Sequence, residues 1–121
     1  MVILDESLLQ GTTSTYQVNL VNESGQAIPG SALSALTLTY YDQGTLTVLN
    51  NRLAQNVLNA NGVTIDGNGL LTWNIVIAET IMISATKERE LHVALWTWTW
   101  ASGTKVNRHE VGLYIERVTL G

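Results

Sequence analysis

Apolar and polar residues alternate with a period of two along most of this chain, and the alternation is longest near its C-terminal end. Leu91 to Ala101 and Lys105 to Val118 are both rich in Val, Thr, Tyr, Trp and Ile, residues suited to a pleated, half-buried surface. Ser102-Gly103 breaks the run, so the two segments predict a β-hairpin. With these two residues as the loop, Ala94 faces Val111, His92 faces Leu113 and Trp96 faces His109. On the other side of the ribbon, Leu95 meets Glu110, Val93 meets Gly112 and Leu91 meets Tyr114. A four-residue loop gives the same pairing. The first face gathers Ala94, Trp96, Val111, Leu113 and Ile115 and is the core candidate, whereas a one-residue slip would bury Glu110 and Glu116. The second face mixes Glu110, Glu116 and Tyr114 with Leu91, Val93 and Leu95, as expected of a partly exposed or partner-covered surface.

Shorter alternations precede the hairpin. Tyr16 to Val21 puts Tyr16, Val18 and Leu20 on one side, and Leu36 to Tyr41 does the same with Leu36, Leu38 and Tyr40. Val63-Thr64-Ile65 is a short strand between the Asn61-Gly62 and Asp66-to-Gly69 turns, and Leu70 to Ile77 is a strand centred on Trp73. In residues 51–58, Leu53, Val57 and Leu58 share a helical face, which predicts a short helical turn or irregular crossover. Residues 1–12 form an arm or edge strand, cut from the rest by Gly11-Thr12-Thr13-Ser14. Residues 13–121 then make one domain. Short strands with turn signals at roughly 8–12 residue spacing predict an all-β sandwich of about 7–9 antiparallel strands.

Composition narrows the function classes. The 121 residues suit one domain, whose length buries roughly two-thirds of the surface its unfolded chain exposes. There is no cysteine, so disulfides and thiolate metal sites are excluded. A net charge of −4 argues against a nucleic-acid binder, which carries a basic face. Only 13% of residues are charged while 45% are hydrophobic, which fits a protein that sits within an assembly. No apolar run approaches the ~20 residues of a membrane span. The residues from Met1 to Glu6 carry no basic region ahead of Val2-Ile3-Leu4, so no signal peptide is expected.

Candidate chemistry is sparse. His92 and His109 lie on one face of the hairpin but about four positions apart, too far to share a metal at ~3.3 Å per residue. Neither has an evident Ser or Asp partner for a hydrolytic triad. Gly67-Asn68-Gly69 is followed by strand-like Leu70 to Trp73 rather than a helix, so it is a turn and not a phosphate loop. Asp66, Asn68 and Asn61 lack the acidic spacing of a calcium loop. Lys87-Glu88-Arg89-Glu90 alternates in sign and reads as ion pairs on a solvated edge. No catalytic, cofactor-binding or metal-ligating residue is expected, and the chain does not read as an enzyme. Trp98 and Trp100 lie near the hairpin tip, where tryptophans cap a core, meet a neighbouring subunit or stack on sugars.

Glu90 to Trp100, Gly103 and His109-Glu110-Val111 together resemble the closing hairpin of small immunoglobulin-like virion proteins of tailed bacteriophages. Tyr16 to Gly30 is similar to their opening strand and turn, and Leu36 to Asp42 to their next strand. The N-terminal domain of phage baseplate upper proteins has the same layout. The likeness spans most of residues 15–118 and carries over no catalytic residue. It implies an immunoglobulin-like sandwich located in a virion, most simply a capsid decoration or cement subunit. Its partners would be the major capsid protein, other virion proteins and copies of itself in a dimer or trimer, with no nucleic acid or membrane. The chain stops just after the hairpin, so a stand-alone subunit is expected over a baseplate protein with further domains. A tail, neck or baseplate adaptor is the second expectation, and a carbohydrate-binding module using exposed tryptophans the third. Val2, Ile3 and Leu4 of the arm, Trp98 and Trp100 of the tip, and Tyr114 of the mixed face are the candidate contact residues.

Overall fold

The computed structural model describes residues 1–118, and the last three positions of the expected 13–121 domain lie outside the described residues. Nine strands form among the described residues, in the order β1 (Val2–Ile3), β2 (Leu8–Leu9), β3 (Ser14–Asn19), β4 (Leu33–Asp42), β5 (Gln55–Asn56), β6 (Val63–Ile65), β7 (Leu70–Ile75), β8 (Arg89–Trp100) and β9 (Lys105–Glu116). They build a β-sandwich. One sheet runs β1-β9-β8-β4-β5 with β2 also on β9, and the other runs β3-β7-β6. No helix among the described residues is long and apolar enough to cross a membrane.

The β8–β9 hairpin adopts the expected register throughout, including His92 opposite Leu113, Trp96 opposite His109 and Leu95 opposite Glu110. Its loop is the four-residue alternative, since Trp100 still pairs with Lys105 and Ala101, Ser102 and Gly103 all take positive φ. The face chosen as core is the core: Ala94, Trp96, Val111, Leu113 and Ile115 are buried. From β4 come Leu36, Leu38 and Tyr40, and from the facing sheet Val63, Leu71 and Trp73. The rings meet edge to face, Trp73 against Trp96 at 5.4 Å and against Tyr40 at 5.3 Å. Such pairs add about 0.5–1.5 kcal/mol to the area they bury.

Two expectations about local structure are corrected. Of the two alternatives for 51–58, the irregular crossover forms and the helical turn does not. Asn50, Asn51, Ala54 and Asn59 have positive φ, a left-handed conformation that interrupts helical propagation and that asparagine tolerates well. Leu53 is exposed while Val57 is buried, so the apolar spacing there does not define one face. The strands are also not all antiparallel: β1 and β2 run parallel to β9, with Val2 opposite Val111 and Leu8 opposite Ile115. Helical turns of the 3-10 type occur elsewhere, at Gly30–Ala32 and Ile77–Glu79.

The sandwich has two unlike ends. The tip end holds the β8–β9 loop and the turns at 22–26 and 66–69. The loop end lies where β4, β7 and β9 finish and β8 begins, and it is crossed by residues 43–54 and 76–88.

Candidate functional site at the loop end

Strand parity brings charged groups into the interior at the loop end. Asp42 continues the inward series Leu36, Leu38, Tyr40, while Glu90 and His92 open the inward series Ala94, Trp96, Trp98. Asp42 pairs directly with His92 across β4 and β8. Glu79 arrives from the 3-10 turn after β7, and Arg52 from the segment before β5. All five are buried, with His92 and Glu79 fully enclosed.

Their contacts form two connected units. The Arg52 guanidinium pairs with the Glu79 carboxylate through Nε, and also donates to Gln55 Oε1 and the Asn61 carbonyl, each at 2.9 Å. The Tyr40 hydroxyl donates to the Glu79 carbonyl at 2.7 Å and lies 3.2 Å from His92 Nδ1. On the far side of the imidazole, Nε2 is 3.2 Å from Glu90 Oε1 and 3.9 Å from Asp42 Oδ1. Burial pushes the Tyr40 phenol well above its ordinary range; the Glu79 charge adds to this and the Arg52 charge opposes it. The hydroxyl therefore stays protonated and serves as a donor. Three buried carboxylates face one buried guanidinium, an imbalance that costs several kcal/mol per uncompensated ion in a dry interior.

These buried groups also hold the loops. Asp42 Oδ2 accepts from the Thr45 amide at 2.9 Å and its hydroxyl at 2.8 Å. Glu79 Oε1 accepts from the Val76 amide, and the two oxygens of Glu90 accept from the amides of Ile83 and Ser84. Arg117 donates to the Ser84 and Lys87 carbonyls. The backbone so fixed presents large apolar side chains to solvent: Leu46 is 70% exposed and Ile77 57%, with Val48, Ile81, Ile83 and nearby Leu9 also exposed. At the tip end Val106 is the large aliphatic side chain left exposed among the described residues. A cleft of about 310 Å³ at Arg52 is also lined by Asn50, Asn51, Gln55, Asn61, Gly62 and Val76.

The contact residues expected from sequence do not converge. Val2 and Ile3 pair with Val111 and Gly112, and the Leu4 amide donates to the Gly112 carbonyl, so the arm covers an edge of its own sheet. Gly112 permits this closeness: a Cβ there would meet Leu91, Ile3 and Met1 side chains at 3.0–3.3 Å. Val2 and Ile3 remain largely exposed, whereas Leu4 packs on the core. Trp98 does not face solvent. It is buried, and its Nε1 donates to the Val21 carbonyl at 3.0 Å, capping the core. Trp100 packs partly buried against the same core. With Trp73 and Trp96 also buried, no fully exposed indole face is left for stacking on a sugar. Tyr114 is half-buried on the outer face beneath the Arg89 guanidinium, 4.1 Å from its ring centre.

Glu90 corrects the solvated-edge reading of Lys87 to Glu90: it is buried beside His92. The signal was its parity with His92 and Ala94, which outranks the charge of its neighbours; Asp42 has the same parity with Tyr40. His109 stays apart from this cluster, half-buried with its Nε2 2.8 Å from the Tyr16 hydroxyl. Burial and then the amino-terminal charge hold its imidazole below the usual histidine range, and burial raises the Tyr16 phenol. Comparison with protein-family models, with curated proteins and with solved structures gives no match.

Proposed function

We propose that this chain is a structural subunit of a bacteriophage virion that works through protein–protein contacts, decorating or cementing the capsid. The observation that carries the reading is the loop end, where exposed Leu46, Ile77 and Ile81 ride on backbone pinned by buried charges. Apolar side chains concentrated at one end of a rigid scaffold mark a docking face, and a backbone already ordered loses little entropy when a partner arrives. The sparse surface charge points the same way. The resemblance of the closing hairpin to immunoglobulin-like virion proteins supplies the setting, with the major capsid protein as partner and a dimer or trimer as the assembling unit.

A tail, neck or baseplate adaptor is the second reading, favoured by the same resemblance to baseplate upper proteins. Copy number separates the two. Quantitative mass spectrometry of purified particles, measured against the major capsid protein, is expected to give a count on the scale of the capsid subunits. A count of a few symmetric rings would make it an adaptor, and absence from the particle would remove both readings.

A further inference from the structure

The Tyr40 hydroxyl has one proton, and the Glu79 carbonyl, which can only accept, takes it at 2.7 Å. The 3.2 Å contact between Tyr40 and His92 Nδ1 must then be an Nδ1–H donating to the phenol oxygen. This fixes the tautomer. A neutral His92 with its proton on Nδ1 turns the Nε2 lone pair toward two carboxylate oxygens, Glu90 Oε1 at 3.2 Å and Asp42 Oδ1 at 3.9 Å. Lone pair against carboxylates is repulsive unless a positive centre lies between them.

We propose that Asp42, Glu90 and His92 form a binding site for one divalent transition-metal ion of the zinc class. The three donor atoms lie within 4.8 Å of one another. Donors at ~2.0–2.2 Å from a shared metal sit roughly 2.9–3.5 Å apart, so the Glu90–His92 spacing of 3.2 Å already fits and Asp42 Oδ1, 3.9 Å from Nε2, has to move inward. That oxygen accepts no hydrogen bond from the described residues, because both Thr45 donors use Oδ2. The charge count agrees independently. Arg52 and Glu79 neutralise each other, so Asp42 and Glu90 leave two buried negative charges, which one dication cancels with His92 neutral.

The surroundings have the form that metal ligands require. The second ring nitrogen of His92 is oriented by Tyr40, and each carboxylate is held by backbone amides, at Thr45 for Asp42 and at Ile83 and Ser84 for Glu90. Imidazole with two carboxylates suits a zinc-class ion and leaves a coordination position for water. Metal binding takes the Nε2 electron pair, and any proton held there leaves to solvent. The ion ties the β4–β8 pair to both loops of the loop end, and this assignment stands whichever partner those loops meet.

The test is a titration of the chelator-stripped full chain with zinc chloride, followed by nitrogen-15 histidine NMR and calorimetry. One equivalent is expected to bind and to shift His92 Nε2 while His109 stays put. His92→Asn and Asp42→Asn, with folding checked by circular dichroism, should each weaken binding by more than about 100-fold, and Tyr40→Phe by about 10–100-fold. His109→Gln should leave it unchanged. The melting temperature of the unmutated chain should rise with zinc and fall back with EDTA. An unmoved His92 at excess zinc, a response at His109 alone, or a flat melting temperature would each overturn the assignment, whether or not the variants fold.

Discussion

The tip end and the loop end of this sandwich close the same two sheets by opposite means. At the tip the turns hold themselves: Asn22 Oδ1 accepts from the Ser24 and Gln26 amides, and Asp66 Oδ1 from those of Asn68 and Leu70. Partner and acceptor are at most four residues apart and lie at the surface. The ion pair there, Lys105 with Glu23, has both side chains more than half exposed. At the loop end the acceptors are buried carboxylates, which hold amides three to seven residues away and, for Glu79, also the Arg52 guanidinium 27 residues away. Local turns cost little to build and suit a surface with nothing to present. Buried charges fix loops that expose apolar side chains, the arrangement a docking face needs.

The comparison breaks first at Arg52. Replacing it with Met leaves Glu79 buried and unpaired, and chemical denaturation should register a loss of about 3–5 kcal/mol, a large share of a typical domain's stability. Replacing both, Arg52→Met with Glu79→Leu, should recover much of it; equal losses in single and double variants would mean that packing, not charge, holds this end. Asn22→Ala at the tip removes two exposed turn hydrogen bonds and should cost only about 0.5–1.5 kcal/mol.

A pH series sharpens the contrast from the hairpin between the two ends. His109 binds its proton less readily folded than unfolded, because burial and the amino-terminal charge oppose it. Its contribution is full above the unfolded value of about 6.5 and is lost as pH falls through the window down to its lowered folded value, where the unfolded chain holds the extra proton. His109→Gln should flatten that part of the stability profile. Smallest are the surface changes. Lys105→Ala should alter stability by less than about 0.5 kcal/mol. Ile77→Ser with Ile81→Ser should stay within about 0.5 kcal/mol per site while lowering occupancy on particles, which separates docking from folding.

The parts of this fold legible in the sequence are those written in strand parity. β8 and β9 run for twelve residues each, and a one-residue slip would bury Glu110 and Glu116, so register and core face follow from pattern. The parallel pairing of Val2 with Val111 leaves no such trace, since a two-residue strand has no period and its partner is over a hundred residues away. Leu53, Val57 and Leu58 imitate a helix face, but nothing local shows that the asparagines around them turn left-handed. The candidate site divides the same way. Asp42, Glu90 and His92 could be placed inside by counting along their strands, whereas Arg52 and Glu79 sit in irregular segments where counting has no meaning. Trp98 had the right face, but not the Val21 carbonyl that makes it a core cap.

Whether buried charge holds the loop end ready for a partner can be read from native-state hydrogen exchange resolved at single amides. Thr45, Val76, Ile83 and Ser84 at the loop end are to be compared with Ser24, Gln26 and Asn68 at the tip. The first group, bonded to buried carboxylates, is expected to exchange only through openings close in free energy to global unfolding, and the second through local fraying. Loop-end amides that exchange as fast as the tip turns would contradict this expectation.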